Sequence, residues 1–475
     1  MHQFYSITFC ALLLLNVGCA QHKTRSEQVS DSSVLTNKID ALFVDWNKAS
    51  HPGGVVGVYK EGNLIYNKAF GLASLEYNAP NTLQTRFNIA SVSKQFTSYA
   101  ILLLEQQGKL SLNDDIRLYL PEVPNYETTV TVKHLIQHTN GLRSLHAILG
   151  MAGWRLDDRR THDDLMRIIA KGNALSFEPG SEYMYSNTGF IFAAMIIERI
   201  TETSFRAWMQ ENVFEVFKMQ NTFVSDDIDE VLFNAASSYI VADGKVQRVA
   251  PFWEYYGSGN IYTTTADLLK WAQNFSLNNL NDESLFKEMS QNGILNSGEK
   301  IDHGLGVFSE DYRGHKLIQH GGAIGGFRSR LDILPEQDIQ IAVLTNFNQS
   351  NVVPSVHSIK DILLNLDPEE SNNQHEEAPA DTPISQTLDE LSKLQGHYFS
   401  SELDTYYRIY LREDQLVLSH IRHGEHQMTF VQGDNYQVNF YPMRDLAFSR
   451  DESGKVLGLH ATNPRVRNVW FEKTE

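Results

Sequence analysis

Strand-like segments occur at both ends of residues 34–366, and helical periodicity fills the middle of that range. Near the start, the runs Gly53 to Lys60 and Leu64 to Phe70 flank Glu61-Gly62, which is a hairpin signal. Strand patterns return from Gly304 onward. This order predicts an α/β (α+β) fold with one antiparallel sheet built from both ends of the region. Terminal helices would cover one face of the sheet, and the helical insertion would form a lobe on the other.

A change in composition and periodicity after residue 366 predicts a second domain. Residues 367–390 contain many acidic residues, three prolines and neither lysine nor arginine, which is typical of a solvated linker. Residues 391–475 alternate in short runs separated by turn signals, and eight candidate strands predict a small all-β antiparallel barrel. We expect its aromatic residues to form the barrel core, and we assign this domain no chemistry. They are Tyr398, Tyr406, Phe430, Phe440, Phe448 and Phe471.

The first twenty residues are typical of a targeting segment. The run from Phe4 to Val17 is almost wholly apolar but too short to span a bilayer comfortably. Either Gly18-Cys19-Ala20 is a small-x-small cleavage site, or Cys19 is the lipidated first residue of a lipoprotein. Residues 21–33 would be a polar spacer. We therefore expect an exported protein that is periplasmic, or attached to the membrane only through a lipidated Cys19.

Charge and cysteine content exclude several classes of function. The chain of 475 residues has a formal net charge of −18, which argues against a nucleic-acid partner. Its two cysteines, Cys10 and Cys19, both lie in the targeting segment, so the mature domains have no disulfide and no thiol nucleophile. The sequence contains neither a glycine-rich phosphate loop after a strand nor a His-Glu-x-x-His pair. We expect no cofactor and no metal.

A Ser-x-x-Lys motif is the strongest indication of chemistry, because no Gly-x-Ser-x-Gly elbow is present. The spacing places the lysine one helical turn from the serine, where a buried amine can lose its charge and accept the hydroxyl proton. Three pairs match: Ser91/Lys94, Ser284/Lys287 and Ser297/Lys300. Only Ser91 follows an extended run and opens an apolar helix. The alternative for Ser91 is a helix-capping serine.

Two further segments supply candidate partners for the serine. Tyr185-Ser186-Asn187 follows a Pro-Gly turn, and a loop tyrosine there can hold its hydroxyl against the serine, while Asn187 orients Lys94 or a substrate carbonyl. In His320-Gly321-Gly322, small residues at a strand end allow close approach of a ligand. Alternatively, Tyr185 is a core tyrosine and His320 a strand histidine. Arg328 and Arg330 lie nearby on alternating strand positions, so we expect that they cannot both face one site, and either could be only a surface charge.

The segments FNIASVSKQFT at 87–97, YSN at 185–187 and HGG at 320–322 together resemble the class C β-lactamase and penicillin-binding-protein-like serine hydrolases (peptidase S12 type). HTNGL at 138–142 and GSGNIYTTTADLLKW at 257–271 add to this resemblance, which spans about residues 34–366. The C-terminal strands resemble the lipocalin-like domain often appended to that family.

This resemblance implies roles for individual residues. Ser91 would be the acylated nucleophile, and Lys94 and Tyr185 would share general-base and general-acid duty. Backbone N–H groups of Ser91 and Ala323, next to Gly322, would form the oxyanion hole.

The sequence departs from true β-lactamases at one motif. They carry Lys-Thr-Gly, or a close variant, where this chain has His320-Gly321-Gly322, and histidine resembles instead the esterase and D-amino-acid peptidase branches. His320 could hydrogen-bond Tyr185 or the substrate.

Three functions follow from these observations. The first is a serine hydrolase that acts through an acyl-enzyme on an ester, a small peptide or a D-amino-acid amide, with a cell-wall fragment as one such substrate. The second is a β-lactamase or DD-peptidase. The third is a non-catalytic binding or scaffold protein with this fold.

Overall fold

The computed structural model of the protein describes residues 33–172, 174–250, 253–279, 284–367 and 387–474. The predicted targeting segment 1–20, with Cys10 and Cys19, lies outside these residues, as do nearly all of the predicted spacer and residues 368–386 of the predicted linker. No helix in the described ranges combines the length and apolar character needed to cross a membrane.

The first domain is built around one antiparallel sheet of six strands. Its strands come from both ends of the domain, in the order β12-β13-β14-β15-β1-β2. Chain ends that are far apart in sequence meet where β1 pairs with β15, with Gly54 opposite Thr345. The strands of this domain are β1 Gly54–Lys60, β2 Asn63–Phe70, β3 Leu72–Ser74, β4 Ala79–Pro80, β5 Phe87–Asn88, β6 Phe223–Val224, β7 Tyr239–Ala242, β8 Lys245–Arg248, β9 Ile261–Thr263, β10 Gly293–Ile294, β11 Lys300–Ile301, β12 Phe308–Tyr312, β13 His315–Ile324, β14 Phe327–Leu334 and β15 Ile339–Thr345.

Helices pack on both faces of this sheet. On one face, the first and last helices of the domain enclose an apolar cluster that includes Ile39, Val56, Ile341 and Val356. A larger cluster on the other face runs through the helical lobe. This confirms the layers predicted from the order of elements. The α-helices of this domain are α1 at 33–41, α2 Lys94–Gln106, α3 Val132–Gln137, α4 Leu145–Met151, α5 His162–Ile169, α6 Asn187–Thr201, α7 Phe205–Met209, α8 Thr265–Ala272, α9 Leu285–Met289 and α10 Val352–Leu364. A further helix, α11 Leu388–Lys393, precedes the second domain.

The second domain is a closed antiparallel barrel of eight strands in sequence order. The first and last strands pair at Tyr398 and Lys473, which closes it. This confirms the predicted barrel. Its strands are β16 Gly396–Ser400, β17 Thr405–Arg412, β18 Gln415–His420, β19 Gly424–Gln432, β20 Asn435–Val438, β21 Asp445–Arg450, β22 Val456–Asn463 and β23 Val466–Lys473. Residues 388–390, assigned to the linker from the sequence, form the first turn of α11, which Thr387 caps.

One aromatic residue expected in the barrel core is on the outside. Tyr406 is 58% exposed, whereas its neighbour Tyr407 is 1% exposed. Side chains alternate along a strand, so only one of two adjacent tyrosines can point inward. Tyr398, Phe448 and Phe471 are buried as predicted.

The barrel packs directly against the helical lobe. Arg143 of the lobe forms an ion pair with Glu402 of the barrel at 2.6 Å, with only 5% and 12% of the two side chains exposed. The Tyr407 hydroxyl donates to the carbonyl of Met151 at 3.0 Å. This docking brings the turn between β22 and β23 to the mouth of the candidate site.

Candidate active site

A cavity of about 1020 Å³ lies where the sheet, the helical lobe and the barrel meet. The site residues predicted from the sequence line it, apart from Lys94, which is buried behind its wall. The lining includes Ser91, Tyr185, Asn187, His320, Gly322 and Ala323. The structure therefore brings together residues that are up to 232 positions apart in the chain (Ser91 to Ala323).

Ser91 lies on a tight turn between β5 and α2. The chain passes from Asn88 into a short 3₁₀ turn, Ala90–Ser93, and then into the helix. Ala90 has a φ of 47°, a left-handed conformation that is costly for a residue with a Cβ. The Asn88 side chain stabilises it by accepting a hydrogen bond from the Ala90 N–H at 2.9 Å. This turn places the Ser91 hydroxyl on the cavity wall at the start of the helix.

Lys94 is fully buried directly behind Ser91. Its Nζ lies 3.2 Å from Ser91 Oγ, 2.8 Å from Asn187 Oδ1 and 2.7 Å from the carbonyl oxygen of Ser258. No carboxylate of the described residues forms an ion pair with it. Burial, and to a lesser degree the charge of Arg465, holds the pKa of Lys94 well below its usual value. The environment therefore favours a neutral amine.

Tyr185 covers the same serine from the lobe. Its ring packs on His138 at a centroid distance of 4.2 Å, and His138 also accepts a hydrogen bond from the Ser186 N–H at 3.0 Å. Burial raises the pKa of Tyr185 to about 12, although contact with Ser91 and the positive charge of Arg465 act in the opposite direction. The phenol therefore keeps its proton at neutral pH and can donate it.

Strand β13 forms the wall of the cavity opposite the lobe. A Cβ at Gly322 would lie 2.3 Å from the carbonyl oxygen of Ile89 and 2.2 Å from Ser329 Oγ, so only glycine allows the strand to approach the nucleophile turn this closely. Ala323 follows on the same strand and lines the cavity. Its part in an oxyanion hole with Ser91 stays a prediction.

His320, also on β13, is buried and uncharged. Its Nδ1 lies 2.6 Å from the Gly321 carbonyl oxygen, which can only accept, so Nδ1 carries the proton and Nε2 is left as an acceptor. Nε2 has no partner within the described residues. Burial keeps the pKa of His320 well below its usual value. The ring centroids of His320 and Tyr185 are 6.2 Å apart, and no hydrogen bond joins them.

The two competing Ser-x-x-Lys pairs lie away from the cavity. Ser284 precedes the short helix α9, and Ser297 lies between β10 and β11. Neither serine lines the cavity around Ser91.

Several residues that line the cavity were not predicted from the sequence. Trp253 and Tyr255 stack at 5.7 Å, with His146 packed on Trp253 at 4.7 Å, and together they form an aromatic wall. Arg465, from the turn between β22 and β23, reaches the same cavity from the barrel. The Asn463-Pro464 turn signal marked the position of that turn, but nothing local indicated where it would dock.

Arg328 and Arg330 require a correction. Both line the cavity, contrary to the expectation that they could not face one site. Residues two positions apart on a strand point to the same face of the sheet, so Arg328 and Arg330 point the same way. Arg330 is paired with the buried Asp332, and Arg328 donates to the carbonyl oxygens of Gly325 and Phe327. Ser329, between them, faces the nucleophile turn and donates to the Ile89 carbonyl at 2.7 Å.

Comparisons with known proteins agree with this architecture. Residues 39–364 match the family model described as Beta-lactamase. Penicillin-binding protein 4* of Bacillus subtilis (strain 168) is 27% identical over 312 residues, which cover 62% of this chain and 68% of that protein. A D-aminopeptidase of Cereibacter sphaeroides is 27% identical over 328 residues, which cover 67% of this chain but only 61% of the relative.

A solved structure shares the fold across both domains. The octameric penicillin-binding protein homologue from Pyrococcus abyssi superimposes with a TM-score of 0.60 at 21% identity, covering 92% of this chain and 99% of that one. The similarity therefore extends beyond the region that matches the family model.

Proposed function

The chain belongs to the beta-lactamase family, and from this we propose that it is a serine hydrolase in which Ser91 forms an acyl-enzyme. Lys94 acts as the general base and Tyr185 as the general acid. The preferred substrates are esters and small peptides or D-amino-acid amides.

The hydrogen-bond geometry of Lys94 carries this proposal. A neutral amine has two N–H groups and one lone pair. Asn187 Oδ1 at 2.8 Å and the Ser258 carbonyl oxygen at 2.7 Å can only accept from it, so they take both N–H groups. The lone pair is then left facing Ser91 Oγ at 3.2 Å, where it can accept the hydroxyl proton. A purely structural lysine would instead need a carboxylate partner to balance its buried charge.

The reaction follows from these positions. Ser91 Oγ attacks the substrate carbonyl while its proton passes to Lys94 Nζ. Tyr185 donates its proton to the leaving alcohol or amine as the scissile bond breaks, and it recovers a proton from Lys94. Water then attacks the acyl-enzyme by the same transfers in reverse and releases the acid product, with Ser91 regenerated.

Two observations favour esters and amides over lactams. By the resemblance of the sequences, His320 occupies the position at which true β-lactamases carry a lysine. Burial holds the pKa of His320 well below its usual value, so the side chain at this position is uncharged. A relative with this family's domain is named a D-aminopeptidase. β-Lactamase or DD-peptidase activity is the second candidate, because another relative is named a penicillin-binding protein.

Covalent labelling tests the nucleophile. We expect a fluorophosphonate probe to modify one serine, on the peptide that contains Ser91, and Ser91→Ala to lose both labelling and turnover with an unchanged melting temperature. Ser297→Ala is the matched control, because it removes the serine of a second Ser-x-x-Lys pair outside the cavity. Labelling that survives in Ser91→Ala would contradict the assignment, and a wild type that is never labelled would favour a non-catalytic binding protein.

A substrate panel then tests the class. The values of kcat/KM for a short-chain p-nitrophenyl ester, a D-amino-acid amide and nitrocefin are measured on one preparation. We expect turnover of the ester or the amide to exceed that of nitrocefin. If nitrocefin is hydrolysed best by a wide margin, the β-lactamase alternative is correct.

A further inference from the structure

The turn between β22 and β23 of the barrel places a cationic side chain, Arg465, in the cavity of the nucleophile. The Arg465 guanidinium lies over the Tyr185 ring, 4.7 Å from its centroid, and lines the cavity of Ser91. Backbone contacts fix this turn on the lobe, since the Ser144 N–H donates to the Arg465 carbonyl at 3.4 Å. Within the turn, the Arg465 N–H donates to Asn463 Oδ1 at 2.8 Å.

Arg465 differs from the other arginines at this interface in having no acidic partner. Arg143 is paired with Glu402, Arg467 with Glu182, and Arg422 with Asp158. No carboxylate of the described residues forms an ion pair with Arg465. Its face rests on Tyr185, and its N–H groups remain available to a ligand in the cavity. A guanidinium presents several donors in a planar fork that matches a carboxylate.

The composition of the cavity wall favours an anionic ligand. The lining includes Arg465, and no aspartate or glutamate of the described residues belongs to it. Arg328 and Arg330 also line the cavity, but they lie on the face of β14 opposite Ser329, which faces the nucleophile turn. This contrasts with the formal net charge of −18 for the whole chain. Arg330 is already bound by Asp332, and Arg328 by backbone carbonyls. Among the arginines that line the cavity in the described part of the chain, Arg465 is therefore the one whose N–H groups are free to bind substrate.

We propose that Arg465 binds a carboxylate of the substrate, so that the barrel completes the active site and selects among substrates. The inference rests on the proposed serine hydrolase function and specifies its substrate class. The histidine at 320 had suggested a site without a permanent positive charge near the serine, and the barrel supplies one from a distant part of the sequence. The carboxylate could belong to the acyl part or to the leaving group of the substrate.

Matched substrates that differ in one charge test the proposal. One pair consists of the p-nitrophenyl esters of glutaric acid and of its monoamide, which places the carboxylate in the acyl part. The other pair is an N-acylated D-dipeptide with a free C-terminal carboxylate or a C-terminal amide, which places it in the leaving group. We expect the wild type to prefer the carboxylate in one of these pairs by about 10–100-fold in kcat/KM, as for a charge-assisted hydrogen bond.

Variants assign that preference to the barrel residue. Arg465→Gln should abolish the preference for the carboxylate, because kcat/KM should fall by a larger factor for the carboxylate substrate than for its carboxamide partner, and Arg465→Lys should restore part of the preference. The matched control is Arg408→Gln, which removes another barrel arginine that lies over a tyrosine ring, 5.2 Å from Tyr410, but outside the cavity. It should behave as the wild type.

Each opposite result overturns the inference. A wild type without a preference in either pair shows that no carboxylate is recognised. An Arg465→Gln variant that slows both members of a pair equally shows that Arg465 only positions Tyr185. Labelling of Ser91 by the uncharged fluorophosphonate separates these outcomes from failure of the proposed function, because labelling without a preference contradicts only the role of Arg465.

Discussion

At the level of single side chains, the proton affinities of Lys94 and Tyr185 decide in which pH range Ser91 can be acylated. Lys94 accepts a proton only as the neutral amine, so kcat/KM should fall as the pH drops through its lowered pKa. Tyr185 donates only while protonated, so the rate should also fall as the pH approaches its pKa of about 12. The pH profile of kcat/KM measures both limbs.

Substitutions separate the two limbs. Lys94→Arg should lose activity across the whole profile, because a guanidinium keeps its proton at every accessible pH. Tyr185→Phe should lower the rate by about 10²–10⁴-fold and remove the alkaline limb. Tyr185→Phe should keep the wild-type melting temperature, whereas Lys94→Arg should lower it, because the guanidinium places a permanent charge without a carboxylate partner at a fully buried position. Normal turnover in Lys94→Arg would contradict the role of the amine as a base, and an unchanged alkaline limb in Tyr185→Phe would assign that limb to another group.

At the level of secondary-structure elements, the contact between β13 and the nucleophile turn depends on Gly322. Gly322→Ala places a Cβ 2.3 Å from the Ile89 carbonyl and must separate the strand from the turn. We expect a loss of about 1–3 kcal/mol in the free energy of unfolding, as for overpacking, together with lower kcat/KM. Denaturant unfolding and steady-state kinetics measure the two effects.

The neighbouring glycine is the matched control for this prediction. A Cβ at Gly321 would come no closer than 3.7 Å to any heavy atom, an ordinary contact, so Gly321→Ala should leave stability nearly unchanged. If Gly322→Ala and Gly321→Ala were equally stable and equally active, the close approach of β13 to the nucleophile turn would not be needed for stability or activity.

Elements with strong periodicity were the part of the structure that the sequence could predict. The six-stranded sheet and the eight barrel strands follow from alternation and turn signals, which are local properties. The predictions were wrong where a shift of one residue along a strand decides which face a side chain occupies. Tyr406 was placed inside although Tyr407 occupies that position, and Arg328 and Arg330 were placed on opposite faces although they share one.

The site was partly predictable for a related reason. Ser91 stood out from Ser284 and Ser297 because an extended run and an apolar helix flank it, and those are local features too. Arg465 lies 280 residues from Tyr185, and only the docking of the barrel brings them together. A docking geometry is set by two complete surfaces, so no local pattern could indicate it.

At the level of the whole molecule, the buried ion pair between Arg143 and Glu402 holds the barrel on the lobe. Glu402→Gln leaves the Arg143 charge buried without its partner, and breaking such a pair typically costs about 3–5 kcal/mol. We expect a lower midpoint of urea unfolding and a weaker selection among substrates by Arg465.

An exposed pair at the same interface provides the comparison. Arg422 and Asp158 are 44% and 21% exposed, so Arg422→Gln should cost only about 0–1 kcal/mol. Equal losses in Glu402→Gln and Arg422→Gln would show that the buried pair has no special part in docking the barrel.

The position of Arg465 on a separate domain also determines the order in which the enzyme would fail under stress. Ser91, Lys94 and Tyr185 all belong to the first domain, whereas the carboxylate-binding arginine belongs to the second. Mild heating or denaturant that loosens the barrel before the sheet would therefore remove discrimination first and catalysis later. A partly denatured population would be indiscriminate before it became inactive, and an assay with an uncharged ester would not detect the damage.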